Sequence, residues 1–137
     1  MTTEDNEQHL RLLAIFHYVV AGLTALFALI PLIHVAIGWF MLHAPAPKNG
    51  EAPPPFIGWI FIIIGSCFIF AGESFAACVF AAGRCIQLQK RYWFVFIIGC
   101  LQCCFFPFGT ALGVFTIVVL SRAAVKEMFG VGTKSPA

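Results

Sequence analysis

Charge is scarce in this sequence. Charged residues make up 10% of its 137 residues, against about 25% in a typical soluble domain. Polar segments are scarce as well: residues 1–9, His43–Pro55, Arg84–Arg91 and Ser121 onward. None is long enough to form a domain, so any chemistry must sit among apolar helices or belong to a partner. The basic residues are scattered, which excludes the clustered footprint that nucleic acid requires. The sequence has no Walker loop, dinucleotide fingerprint, serine elbow or zinc-protease helix. Without these, and without room for a soluble site, neither an enzyme nor a cofactor is expected.

What the sequence does have is apolar length. Hydrophobic residues make up 61% of the chain. Three runs, Leu12–Leu42, Phe56–Gly83 and Tyr92–Leu120, each exceed the roughly 20 residues that cross a hydrocarbon core. A soluble fold of this size could not hide so much apolar surface, so the excess must face lipid or partner subunits. The expected fold is all-α: an integral membrane helical bundle of about four helices.

The segments follow in order. Residues 1–18 read as an amphipathic lead. Thr3 is placed to cap a helix, with Glu4, Asp5 and Glu7 at its positive end. Glu7, Arg11, Ala14 and Tyr18 share one stripe, as on an interfacial helix or the wet end of a longer one. The acidic start and the long apolar run argue against a cleaved signal peptide. Residues 19–42 are a span kinked at Pro31, which has no N–H for the preceding turn. Residues 43–55, rich in proline, form an external connector bracketed by Trp39 and Trp59 as interface anchors.

Residues 56–83 form the second span. Gly58, Gly65 and Gly72 recur every seven residues, with Ala76 and Gly83 at a matching offset. Small residues let helices approach closely in lipid, so these five are read as a packing seam. Residues 84–91 carry Arg84, Lys90 and Arg91 and make a cytoplasmic loop by the positive-inside rule.

Residues 92–121 are either one kinked span or a helical hairpin turning at Pro107–Gly109. A single crossing sets Arg11, Arg84, Lys90 and Arg91 against Lys48, Arg122, Lys126 and Lys134, with no bias at all. A hairpin leaves only Lys48 outside, so the hairpin is favoured and both termini are expected in the cytoplasm. Each limb would be about 15 residues, roughly 22 Å, which is short or re-entrant. Residues 122–137 are an amphipathic cytoplasmic tail, with Val125, Met128 and Phe129 expected to dip into the interface.

The segments "PFGTALGVFTIVVLSRAAVKEMF" and "LLAIFHYVVAGL" resemble a group of small, uncharacterised bacterial inner-membrane proteins. These pair a P-x-G-T-x-L-G-x-x-T segment with a preceding basic loop. The resemblance covers about half the chain. It implies bacterial origin and a multi-span helical fold, and no activity.

Three polar residues inside the spans are candidates for a site. Glu73 interrupts an apolar run and shares a helix face with Ser66, Phe70, Ala77 and Arg84. An acid in mid-span costs a few kcal/mol, so it should face a partner or a wet cavity. It fits a buried interhelical hydrogen bond, a proton or cation site, or a contact with another subunit. Gln102 is a polar mate for Glu73 if their helices are adjacent. His34 follows the Pro31 break and fits either a satisfied polar residue or a proton or ligand site. His17 and His43 are interfacial. The cysteines, Cys100, Cys103 and Cys104 of "CLQCC" among them, fit small apolar packing better than a metal or disulfide framework.

The expected function is a non-enzymatic assembly or accessory subunit, self-associating or part of a larger membrane complex through the glycine seam and the Phe-rich helices. The alternatives are an oligomeric ion-conducting element using Glu73, and a haem or metal binder using His34 and the cysteines.

Overall fold

The computed structural model describes residues 3–45, 54–104 and 108–131. These form six helices: α1 (Thr3–Ala28), α2 (Leu32–His43), α3 (Pro55–Gln87), α4 (Tyr92–Gln102), α5 (Phe108–Leu120) and α6 (Ala123–Met128). No strand occurs among the described residues, so the class is all-helical. Lys48 and Gly50 of the proline-rich connector, the turn proline Pro107, and Lys134 lie outside the described residues. The chain divides into two compact units, Leu23–Phe75 and Met1–Gly22 with Ala76–Ala137.

The unit Leu23–Phe75 is a pair of helical limbs. Pro31 does more than kink the first limb: α1 ends at Ala28 and α2 starts at Leu32. Tighter turns bridge the gap, with Leu32 N–H donating to Leu29 O at 2.9 Å and Ile33 N–H to Ile30 O at 3.1 Å. Against this limb lies the first part of α3, running antiparallel. A Cβ added at Gly72 would lie 2.6 Å from Ala28 Cβ, one at Gly65 2.9 Å from Val35 Cγ2, and one at Gly58 2.8 Å from Leu42 Cγ. Gly38 answers from the other limb, its added Cβ 2.6 Å from the Gly58 carbonyl oxygen. Here the backbones themselves are in contact, and only glycine fits. In this unit the stripe of Gly58, Gly65 and Gly72 packs within the chain. It is not left open to a copy or a larger complex.

Among the described residues of this unit, no side chain larger than alanine is buried. Leu26, Phe40, Phe68 and Phe70 are 65–77% exposed. Taken over their most apolar stretches, only 6% of the α1–α2 residues and 11% of the α3 residues are buried. Both stretches are long and apolar enough to cross a membrane.

The second unit has a conventional core. Leu10, Leu13 and Ala14 of α1, Ile86 of α3, Tyr92 and Val95 of α4, Leu112, Val119 and Leu120 of α5, and Val125 of α6 are buried together. Ala14 is buried while Glu7 and Arg11 face outward, so the expected polar stripe splits where the core begins. α1 includes Thr3 rather than starting after it. Gly83 continues the small-residue side of α3, its added Cβ 3.1 Å from His17 Cβ, and Ala76 is buried.

α3 does not stop at Gly83. It runs to Gln87, which takes Arg84 out of the expected loop and puts Ile86 in the core. The helix then closes with paired bonds, Lys90 N–H to Cys85 O and Gln89 N–H to Ile86 O. Gln89 has φ +50° at the left-handed position, where glycine is usual. The same pair of bonds ends α6, with Gly130 at φ +69° in that place.

The third apolar run is a hairpin of two short helices. Gly99 packs on Thr116 and Gly113 on Cys103, while the Tyr92 hydroxyl donates to Leu120 O at 3.0 Å. The partners run in opposite directions along the chain, so α4 and α5 are antiparallel. They have 11 and 13 residues, or about 16 and 20 Å at 1.5 Å per residue.

The tail corrects one expectation. Val125 is fully buried and Met128 and Phe129 pack against the core. Phe129 meets the Tyr92 ring edge-on with centroids 5.8 Å apart. The apolar face of α6 is thus covered by protein rather than free for an interface.

Candidate functional site

Glu73 is half-buried near the middle of α3. Among the described residues its carboxyl has no hydrogen-bond or ion-pair partner. No lysine or arginine occurs among the described residues of its unit. Directly before it, Gly72 sits on the inward glycine stripe. Trp59, Ser66 and Glu73 repeat the same spacing one residue round the helix. Ser66 is exposed, and Phe70, on the same side, is 77% exposed.

His34 is exposed too. Its ring stacks on Phe61 with centroids 6.1 Å apart. Its backbone N–H bonds Pro31 O at 2.9 Å, and the ring makes no hydrogen bond among the described residues. The proline break is therefore bridged by backbone, and the imidazole is not used to repair it.

Gln102 is fully buried at the end of α4, and neither its amide oxygen nor its amide nitrogen has a partner among the described residues. A buried amide without a bond costs about 1–3 kcal/mol, so Gln102 is a polar group without a structural explanation in its own packing.

His17 is a site that the sequence reading passed over as interfacial. It is fully buried, its Nδ1 2.9 Å from Leu13 O, and its Nε2 has no partner among the described residues. With Nδ1–H donating to the carbonyl, Nε2 keeps its lone pair and the ring is a neutral acceptor. The signal was there in the helical spacing of Leu10, Leu13, Ala14, His17 and Ala21, all of which are buried.

The cysteines are all free. Cys103 and Cys104 follow α4 in a turn. The Cys103 thiol donates to Gly99 O at 3.3 Å. Among the described residues no three His, Cys, Asp or Glu side chains are grouped as a metal would need.

The P-x-G-T-x-L-G-x-x-T segment acquires a structural meaning at its described residues. The Thr110 hydroxyl donates to Cys103 O at 2.9 Å. Leu112 enters the core, and an added Cβ at Gly113 would lie 2.5 Å from Gly99 O. Thr116 is buried against Gly99 with its hydroxyl on Leu112 O at 2.7 Å. Each of these residues closes the hairpin. Comparison with protein-family models, with curated proteins and with solved structures gives no match.

Proposed function

We propose that this chain is an integral protein of the bacterial inner membrane, without enzymatic activity, that acts as an assembly or accessory subunit through helix packing. The observation that carries this is the outward direction of its most apolar helices. Only 6% and 11% of their apolar stretches are buried, whereas a core helix of a soluble protein is mostly buried. Removing such a surface from water is worth about 25 cal/mol per Å², and lipid is the medium that does it. The bacterial origin rests on the resemblance of the hairpin segment.

Charge supports the orientation. Arg11, Arg84, Lys90, Arg91, Arg122 and Lys126 all belong to the unit formed by Met1–Gly22 and Ala76–Ala137. By the positive-inside rule that unit lies toward the cytoplasm with both termini. Helices of about 16 and 20 Å are too short to cross a 30 Å core one by one, so α4–α5 enters and returns on the same side.

Alkaline carbonate washing of native membranes tests the membrane reading: the protein stays in the pellet, and release into the wash rejects it. Mass measurement in mild detergent, with identification of whatever co-purifies, tests the subunit role. A lone monomer without partners would count against it. The unpaired Glu73 also favours a second reading, an oligomeric ion-conducting element. In liposomes, that reading expects a flux that Glu73→Gln alters; no flux from either protein removes it.

A further inference from the structure

The glycine stripe of α3 is occupied by the other limb of its own unit, so a partner must use a different side. That side is marked by Glu73. Its carboxyl lies in mid-helix, half-buried, with no partner among the described residues and no lysine or arginine among those of its unit. Lipid offers no hydrogen bond, and an ionisable group inside a span faces a mate or a wet cavity. The residues beside it form a helical seam: Trp59, Ser66 and Glu73 recur every seven residues, with Phe70 on the same side and 77% exposed. A seven-residue repeat keeps one stripe facing a partner helix along a left-handed crossing.

A second copy of this chain meets the requirement with no further residue type. Copies inserted in the same direction carry Glu73 at the same depth, and a two-fold axis running along the stripe brings the residues beside it close to their own equivalents. Two carboxyls facing one another bond when at least one holds a proton. We infer that two copies pair in parallel along the outward α3 stripe Trp59–Ser66–Phe70–Glu73, joined at the centre by a hydrogen bond between the two Glu73 carboxyls. This rests on the membrane reading above and names the partner and the face it uses.

The test is energy transfer between differently labelled full-length chains in liposomes, across a series of lipid dilutions. The wild type associates and Glu73→Gln keeps association, because an amide pair still bonds. Glu73→Leu weakens it about tenfold, the size expected for one interhelical hydrogen bond in lipid. Ser66→Phe, at an exposed position, also weakens association, while Ala71→Phe, exposed off the stripe, leaves it unchanged. Circular dichroism checks that each variant keeps its helix content; if Glu73→Leu fails to fold, Ser66→Phe decides. A wild-type monomer at every dilution overturns the pairing, as does undiminished association of both Glu73→Leu and Ser66→Phe. Failure of the membrane reading is distinct: it shows as release by carbonate, before any association is measured.

Discussion

Leu23–Phe75 and the unit built from Met1–Gly22 and Ala76–Ala137 hold their helices together by different means. The first buries nothing larger than alanine among its described residues and brings backbones together at Gly38, Gly58, Gly65 and Gly72. The second buries Leu13, Ile86, Val95, Val119, Leu120 and Val125 completely. It also uses side-chain bonds such as Tyr92 to Leu120 and Thr110 to Cys103. A core of large apolar side chains works in water because burial removes them from it. A glycine contact gains almost nothing that way. It works where the surroundings are as apolar as the protein and close packing is what remains. The contrast is one of packing chemistry: large buried side chains in one unit, close backbone approach at glycine in the other.

Substitutions can break this contrast. The largest effect is expected at Gly38→Leu. Its added side chain meets the Gly58 carbonyl, and backbone cannot move aside as a flexible side chain can. The cost should reach the upper end of the roughly 1–3 kcal/mol seen for overpacking, read as a lower unfolding midpoint in detergent. Gly22→Ala is the control: nothing lies within 4 Å of its added Cβ, and helix propensity rises by up to about 1 kcal/mol.

Gln102→Leu tests the second unit. Both amide atoms are buried without partners among the described residues, so an apolar residue of similar size should stabilise by about 1–3 kcal/mol. A loss of stability instead would mean that the amide is satisfied by bound water or by a partner chain. Tyr92→Phe removes the bond to Leu120 O and should cost about 1 kcal/mol, with α6 loosened because Phe129 rests on the same ring. The smallest effect is expected at Gln89→Gly. Relief of a left-handed residue should add about 0.5–1 kcal/mol, and a thermal melt would register it as a modest rise.

Several features of this architecture could be read one residue at a time. Pro31 must interrupt the first limb because it has no N–H. Gly58, Gly65 and Gly72 must share a face because seven residues make nearly two helical turns. The hairpin followed from the positions of lysine and arginine, without any contact being known. The candidate site was less legible. Glu73 was visible as a lone acid, but its lack of a partner was not. His17 was overlooked because a histidine next to a polar lead resembles an interfacial one. Only its burial with Leu13 and Ala14 distinguishes the two.

The sequence alone determined where helices form, where they break and which stripes are small or polar, because those follow from covalent geometry and local spacing. Only the tertiary structure decided what each stripe meets. It set the glycines against the chain's own second limb, drew Val125 into a core and buried Gln102 without a bond among the described residues. Such outcomes depend on residues far apart in the chain competing for the same surface, and no local rule contains that competition.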